Sequence, residues 1–287
     1  MKMFLLGKGG ISVGEQYLDP SPGCQPRAAR WRRAGAILLD ALLPAHCVLC
    51  GDRAHPGPGD HTLCRPCLHG LPGNPGACLG CGLPHDGDSR CCRDCRLRPP
   101  PWDHVMAPLR YDFPVDRLVR QLKFARDLVS GRALAAAMAF AGPPPATGRP
   151  LLVPVPMHGF RRWRRGYNQA AELSLHLARA TGWPLRTGSL IRTRHTRAQS
   201  GLGKRARRHN LDGAFDWRGP MPTRATVVLV DDVMTTGSTL DACARTAYRG
   251  GAQSVMLWVA ARALGNASAT GATDSVDVQS ARSAQRS

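Results

Sequence analysis

Four C-x-x-C pairs lie within 49 residues: Cys47/Cys50, Cys64/Cys67, Cys78/Cys81 and Cys92/Cys95. Cysteine, glycine, histidine and proline dominate the stretch between Cys47 and Cys95, and apolar periodicity is nearly absent. Such a stretch cannot bury a core of its own. Two thiolates on one tight turn can instead grip a tetrahedral ion, and two such turns complete its shell. The first two pairs are separated by 13 residues and the last two by 10, the pattern of two successive zinc ribbons. Zinc binding of about 10–16 kcal/mol would replace the missing core. An all-cysteine shell leaves no open coordination position, so both ions are expected to be structural. Cys91 competes with Cys92, but only Cys92 keeps the spacing; His46, His55, His61, His69 and His85 are weaker alternatives. Cys24 and Cys243 stand outside the pattern, and Cys243, inside a helical stretch, reads as a packed core residue.

Eleven cysteines would suit disulfides in an exported protein, but the opening MKMFLLGKGG has too short an apolar run for a signal peptide. No run of 18 apolar residues occurs, so membrane insertion is not expected. Reduced thiols and a cytoplasmic location are the expectation. The formal charge of +19 favours a polyanionic partner, although arginine so outnumbers lysine (four lysines in 39 basic residues) that a GC-rich coding bias explains the excess equally well.

Residues 1–33 read as a disordered leader, 34–44 as a short amphipathic helix stopped by Pro44, and 98–102 as a stiff linker. Beyond it strands and helices alternate. HVMAPLRY (104–111), LLVPVP (151–156), TVVLV (226–230) and SVMLWVAA (254–261) read as strands. VDRLVRQLKFA, SGRALAAAMAFA, NQAAELSLHLARATG and GSTLDACARTAYRGG read as helices. Alternation of this kind implies a parallel sheet covered on both faces. The tail from Leu264 is small, polar and expected to be disordered.

One stretch remains, VVLVDDVMTTGSTL (227–240). Adjacent carboxylates repel, so Asp231 and Asp232 call for a partner. A nucleoside triphosphatase would need G-x-x-x-x-G-K-[ST], which is absent. The acids of a receiver domain open their domain, whereas only 55 residues follow Asp232. The third use is phosphoribosyl diphosphate. Ligands of a parallel sheet lie beyond the carboxyl ends of its strands. The turn Thr235, Thr236, Gly237, Ser238, Thr239 opens a helix whose first N–H groups point at an anion, while the acids meet ribose hydroxyls and charge developing at C1′.

Residues 227–239 resemble the phosphoribosyl-diphosphate motif of type I phosphoribosyltransferases, and residues 38–262 resemble the ComF family of natural-transformation systems. LLPAHCVLCG, LKF (122–124), VPVP (153–156), RRGYNQA (164–170) and RTRHTRAQSGLGKRARRHNLDGAF (192–215) carry that resemblance in order. It implies a double zinc ribbon at 34–98, then a five-stranded parallel α/β domain of phosphoribosyltransferase type at 99–263. It also implies a phosphate loop at 235–239, a diphosphate loop after VPVP and a mobile lid at 192–209. Arg161, Arg162, Arg164 and Arg165, with Lys204 and Arg205 on the lid, would hold the diphosphate together with magnesium. From His158 to Asn210 there are 13 basic residues against one acid, Glu172, which suits a cationic clamp. Asp231 and Asp232 would be catalytic. The first reading is transfer of a ribosyl 5-phosphate to an unknown acceptor, in natural transformation or nucleotide metabolism. Two others stand beside it, a sensor without turnover and a single-stranded-DNA factor working with DNA-uptake proteins, with bases of the DNA stacked on Trp163 and Tyr167.

Overall fold

The computed structural model describes residues 46–54, 62–86, 89–157, 166–193, 211 and 213–264. All of them fall in one compact unit, Ala45–Ser287. The leader, the 34–44 helix, the basic runs at 161–165 and 204–208 and nearly all of the tail lie outside them.

The central sheet is parallel and has five strands: β1 (His104–Met106), β2 (Leu109–Arg110), β3 (Arg149–Pro154), β6 (Ala225–Met234) and β7 (Ser254–Arg262). β7 and β6 are adjacent at the centre, β3 flanks β6, and β1 and β2 lie one after the other along the outer edge of β7. A single bridge, Leu152 to Leu185, prolongs the sheet beyond β3. Two short antiparallel strands, β4 (Leu190–Arg192) and β5 (Phe215–Trp217), form a separate ribbon.

Alternation along β6 divides the core. Val228 and Val230 face one side with Leu152 and Trp258, under α3 (Val115–Arg120), α4 (Leu128–Phe140) and α5 (Gln169–Thr181). Val227 and Leu229 face the other with Val153, Leu257 and Val259, under α6 (Ser238–Arg249), whose Leu240, Cys243 and Ala247 are buried. Both faces are therefore dry, which is why these strands read as unbroken apolar runs.

Three departures from the sequence reading have local causes. The run 104–111 is split because Pro108, which has no N–H to pair, stands between β1 and β2. The helix expected through 125 changes at Gln121 into a π turn, Gln121–Ala125, closed by Arg126 at φ 55°. β6 does not stop at Val230: it pairs with β7 as far as Met234 with Arg262, so both aspartates lie within the strand. α5 begins and ends as its sequence suggests, with the Asn168 side chain accepting from Ala170 N and Gly182 in the left-handed region at φ 71°.

The cysteine-rich segment is built twice from one unit. Each begins with a C-x-x-C turn ending in a left-handed glycine, Gly51 at φ 78° or Gly82 at φ 69°. Each continues to a cysteine that starts a short helix: Cys64 before α1 (Arg65–His69) and Cys92 before α2 (Arg93–Leu97). Cys47 and Cys64 of the first unit are buried in the cluster shared with α3, α4 and α5.

Candidate functional site

Two groups of four thiols come together, Cys47, Cys50, Cys64 and Cys67 in one, Cys78, Cys81, Cys92 and Cys95 in the other. The sulfurs of each group lie within 4.8 Å of one another, with Cys50–Cys64 at 3.6 Å and Cys81–Cys92 at 3.8 Å. A tetrahedron with Zn–S bonds near 2.3 Å has edges of about 3.8 Å, so the donor set fits zinc. Of the alternative ligands, Cys91, His46, His69 and His85 are in neither group, and His55 and His61 lie outside the described residues.

Backbone donors also prepare each group for a cation. Burial alone would raise the Cys47 thiol, but N–H groups of Cys64, Cys50 and Leu49 bring it down to about 6. Cys78 is likewise lowered to about 6, against its burial, by N–H groups of Cys92, Cys81 and Gly80. Burial pushes Cys81 up to about 11, and burial with neighbouring thiols holds Cys67 and Cys95 well above the ordinary range. One thiolate therefore forms readily in each group, and the others ionise when an ion is there to hold them.

The second constellation stands at the carboxyl end of β6. Asp232 is 6% exposed and Asp231 partly buried. Asp232 N donates to Asp231 Oδ1 at 2.9 Å, and Val233 N to Asp232 Oδ1 at 2.6 Å. Burial, then the neighbouring Asp232 charge, pushes Asp231 up to about 7, against the pull of the Asp232 N–H and of Lys123. The cation that answers the pair is Lys123, whose Nζ lies 3.0 Å from Asp232 Oδ1.

Lys123 reaches this carboxylate from the π turn. The Tyr167 hydroxyl donates to Leu122 O in the same turn. Ser130 Oγ, on α4, donates to Gln121 Oε1 at 3.1 Å. Extra-residue turns of this kind often mark functional sites because they re-aim a side chain. Lys123 was not read as a site residue in the sequence. Its signal was there, a lysine retained in an arginine-dominated chain within LKF.

Past β6 the backbone turns at Gly237, φ 75°, where a Cβ would stand 2.9 Å from Met234 Cε. Thr235 and Thr236 are exposed, and Thr236 Oγ1 lies 3.0 Å from Ser238 Oγ. α6 starts at Ser238 with no side chain capping it. The turn thus places hydroxyls and the N-terminal N–H groups of α6, of which Ser238 N lies 3.5 Å from Thr236 Oγ1, beyond the paired carboxylates with only Val233 and Met234 between. Thr235, Thr236, Gly237, Ser238 and Thr239 are brought together with Asp231 and Asp232. Arg165, Lys204 and Arg205, with Arg161, Arg162, Trp163 and Arg164, lie outside the described residues. Tyr167, read earlier as a stacking aromatic, is partly buried against the α3–α5 cluster.

Among the described residues, no helix is long and apolar enough to cross a membrane. Residues 38–96 match the double zinc ribbon domain. The chain is 36% identical over 208 residues to DNA utilization protein YhgH of Salmonella typhi, covering 70% of this chain and 91% of that one. It is 33% identical over 225 residues to competence protein F of Haemophilus influenzae, covering 76% and 96% respectively. Among solved structures, a Trypanosoma cruzi hypoxanthine phosphoribosyltransferase in complex with the product IMP matches at a TM-score of 0.27 and 14% identity, over 54% of this chain and 76% of that one. With near-complete coverage of relatives at this identity, the chain belongs to the ComF family, that of competence protein F and DNA utilization protein YhgH.

Proposed function

We propose that this protein binds phosphoribosyl diphosphate at the end of β6 and acts in DNA uptake or utilisation. One observation carries the reading: Asp231 and Asp232 stand immediately before a hydroxyl-rich turn and the uncapped start of α6. The turn receives the 5-phosphate, and the carboxylates receive the ribose 2- and 3-hydroxyls. Arg165, Lys204 and Arg205 attend the diphosphate, with magnesium supplying further positive charge. In transfer, the bond from C1′ to the diphosphate oxygen breaks, diphosphate leaves with the electron pair, and an acceptor nucleophile bonds to C1′. The carboxylates stabilise the positive charge that builds on the ribose in between. Lys123 pairs with Asp232 at 3.0 Å and opposes the upward push on the Asp231 carboxyl.

Phosphoribosyl diphosphate with magnesium is expected to raise the melting temperature, since a ligand bound only by the native state stabilises it. The double variant Asp231→Asn/Asp232→Asn should show no shift, and Lys123→Met should need a higher pH for the same shift, because it removes a cation that pulls the Asp231 carboxyl down. A full shift in the double variant would remove the acids from the site. Diphosphate release on addition of bases tests turnover separately.

A second reading, binding of single-stranded DNA, is favoured by Phe124, which is 66% exposed beside Lys123 and between Arg120 and Arg126. The relatives' names, DNA utilization protein and competence protein, point the same way. DNA-uptake proteins would then be its partners. Binding should show little sequence preference and weaken with salt, each phosphate neutralised adding about 0.7 to the logarithmic slope. No binding even at low salt would dismiss direct contact with DNA.

A further inference from the structure

The second cysteine group and the TTGST turn are wired together by two buried side chains. Arg262, the last residue of β7, is 6% exposed. Its Nε donates to Cys81 O at 2.8 Å. Its Nη1 donates to Met234 O at 2.8 Å, Thr235 O at 2.6 Å and Ala263 O at 2.6 Å. One guanidinium therefore joins a metal-ligand residue to the carbonyls that lead into the turn. Trp102, 9% exposed, gives its Nε1–H to Gly80 O at 2.7 Å. The far edge of its ring, Cη2, stands 3.5 Å from where a Cβ on Gly237 would lie. The knuckle Gly80-Cys81-Gly82 thus supports the turn from both sides, through Arg262 before it and Trp102 behind Gly237. Gly82 is part of the fit: at φ 69° its backbone passes the Arg262 stem so closely that a Cβ would meet Arg262 Cδ at 3.3 Å.

Burying a guanidinium is costly unless its donors find acceptors, and here backbone carbonyls from three separate segments surround Nε and Nη1. Such a hub is rigid only while each carbonyl stays where it is. The Cys81 carbonyl would be held in place by zinc bound to Cys78, Cys81, Cys92 and Cys95, which would close the Cys78–Cys81 turn through its own sulfurs. The first cysteine group is seated differently, against the apolar cluster of α3, α4 and α5.

We infer that Arg262 and Trp102 are positioning residues which make the second zinc centre the seat of the phosphate-binding turn, so that metal occupancy of Cys78, Cys81, Cys92 and Cys95 sets the order of residues 235–238. The ligand half of this inference rests on the function proposed above; the coupling half does not. Coupling is reciprocal, so a ligand in the turn must also tighten the binding of that zinc.

The test joins amide hydrogen exchange to thiol alkylation read by peptide mass spectrometry, on the full zinc-loaded chain. Cys95→Ser, which opens the second group, should speed exchange at residues 235–238 by about tenfold, leaving 227–230 protected. Cys50→Ser, which opens the first group, should not. Arg262→Lys and Trp102→Phe should retain both zinc ions and still loosen the turn; Trp102→Phe, which keeps an aromatic side chain but loses the bond to Gly80 and the reach toward Gly237, serves if the arginine variant fails to fold. Phosphoribosyl diphosphate with magnesium should slow alkylation of Cys78, Cys81, Cys92 and Cys95 but not of Cys47, Cys50, Cys64 and Cys67, an effect absent in Trp102→Phe or Arg262→Lys. Unchanged exchange at 235–238 in Cys95→Ser, or an equal rise in Cys50→Ser, overturns the inference. If the wild type binds no phosphoribosyl diphosphate while the exchange pattern holds, the coupling stands and the proposed ligand falls.

Discussion

Asp231 holds a proton that an unfolded chain has already lost. Its carboxyl titrates near 3.8 when exposed and at about 7 in the fold, owing first to burial and then to the charge of Asp232. Between those values the native state binds the extra proton, so stability is full below about pH 4 and falls as pH rises through 7. Asp231→Asn removes that loss. In ligand- and magnesium-free buffer the variant should match the wild type near pH 4 and exceed it at pH 8. Discounted for partial exposure, the gain is on the order of 1–2 kcal/mol, or a few degrees in melting temperature. A variant no more stable than wild type at pH 8 would contradict the burial of this charge. The pair itself was legible in the sequence, because two acids after an apolar run are costly without a use. Lys123 and Arg262 were not: each acts on a segment far away in the chain, and no local pattern announces a partner that only the sheet brings near.

Strands and helices were legible where an apolar face has one period, as in α5 and α6, and less so where hydrogen bonding is interrupted. Pro108 splits one expected strand, and the π turn after α3 looks in sequence like any helical continuation. The turn into α6 shows what an element end demands of one residue. Gly237 sits at φ 75°, a conformation that L side chains rarely adopt, and its Cβ position is already taken by Met234 Cε at 2.9 Å. Gly237→Ala should cost about 1–2 kcal/mol in thermal or urea unfolding, and should lose most binding of phosphoribosyl diphosphate as the turn shifts. Unaltered stability and binding would mean that the turn adapts freely.

At the scale of the molecule, the cysteine spacing announced two metal centres and the alternation of strands and helices announced the sheet, but the seam between them could not be read. Beside the apolar packing of the first cysteine group, it includes backbone carbonyls meeting an arginine and a tryptophan, groups whose sequence context carries no sign of the meeting. The purified protein should contain two zinc ions per chain by metal analysis. Cys64→Ser should retain about one of them, and acid should release both, because protonation of thiolates competes with the metal. A fully folded, metal-free preparation would refute the ribbon assignment.

β7 lies between β6 and the edge strands β1 and β2, yet among the described strands it is the last to be synthesised. While a ribosome is still making it, β1 and β2 lack their parallel partner and are bonded only to the cysteine segment, through the Gly73–Leu109 bridge and Val105 N to Leu79 O, and among the described strands β6 pairs only with β3. The cysteine segment emerges long before and has no core to wait on, so the nascent chain must capture its metal first and carry a finished ribbon ahead of an open sheet. Arg262 then arrives as the closing residue, and a chain cut short before β7 would leave the ribosome with its ribbons made and no sheet for them to sit on.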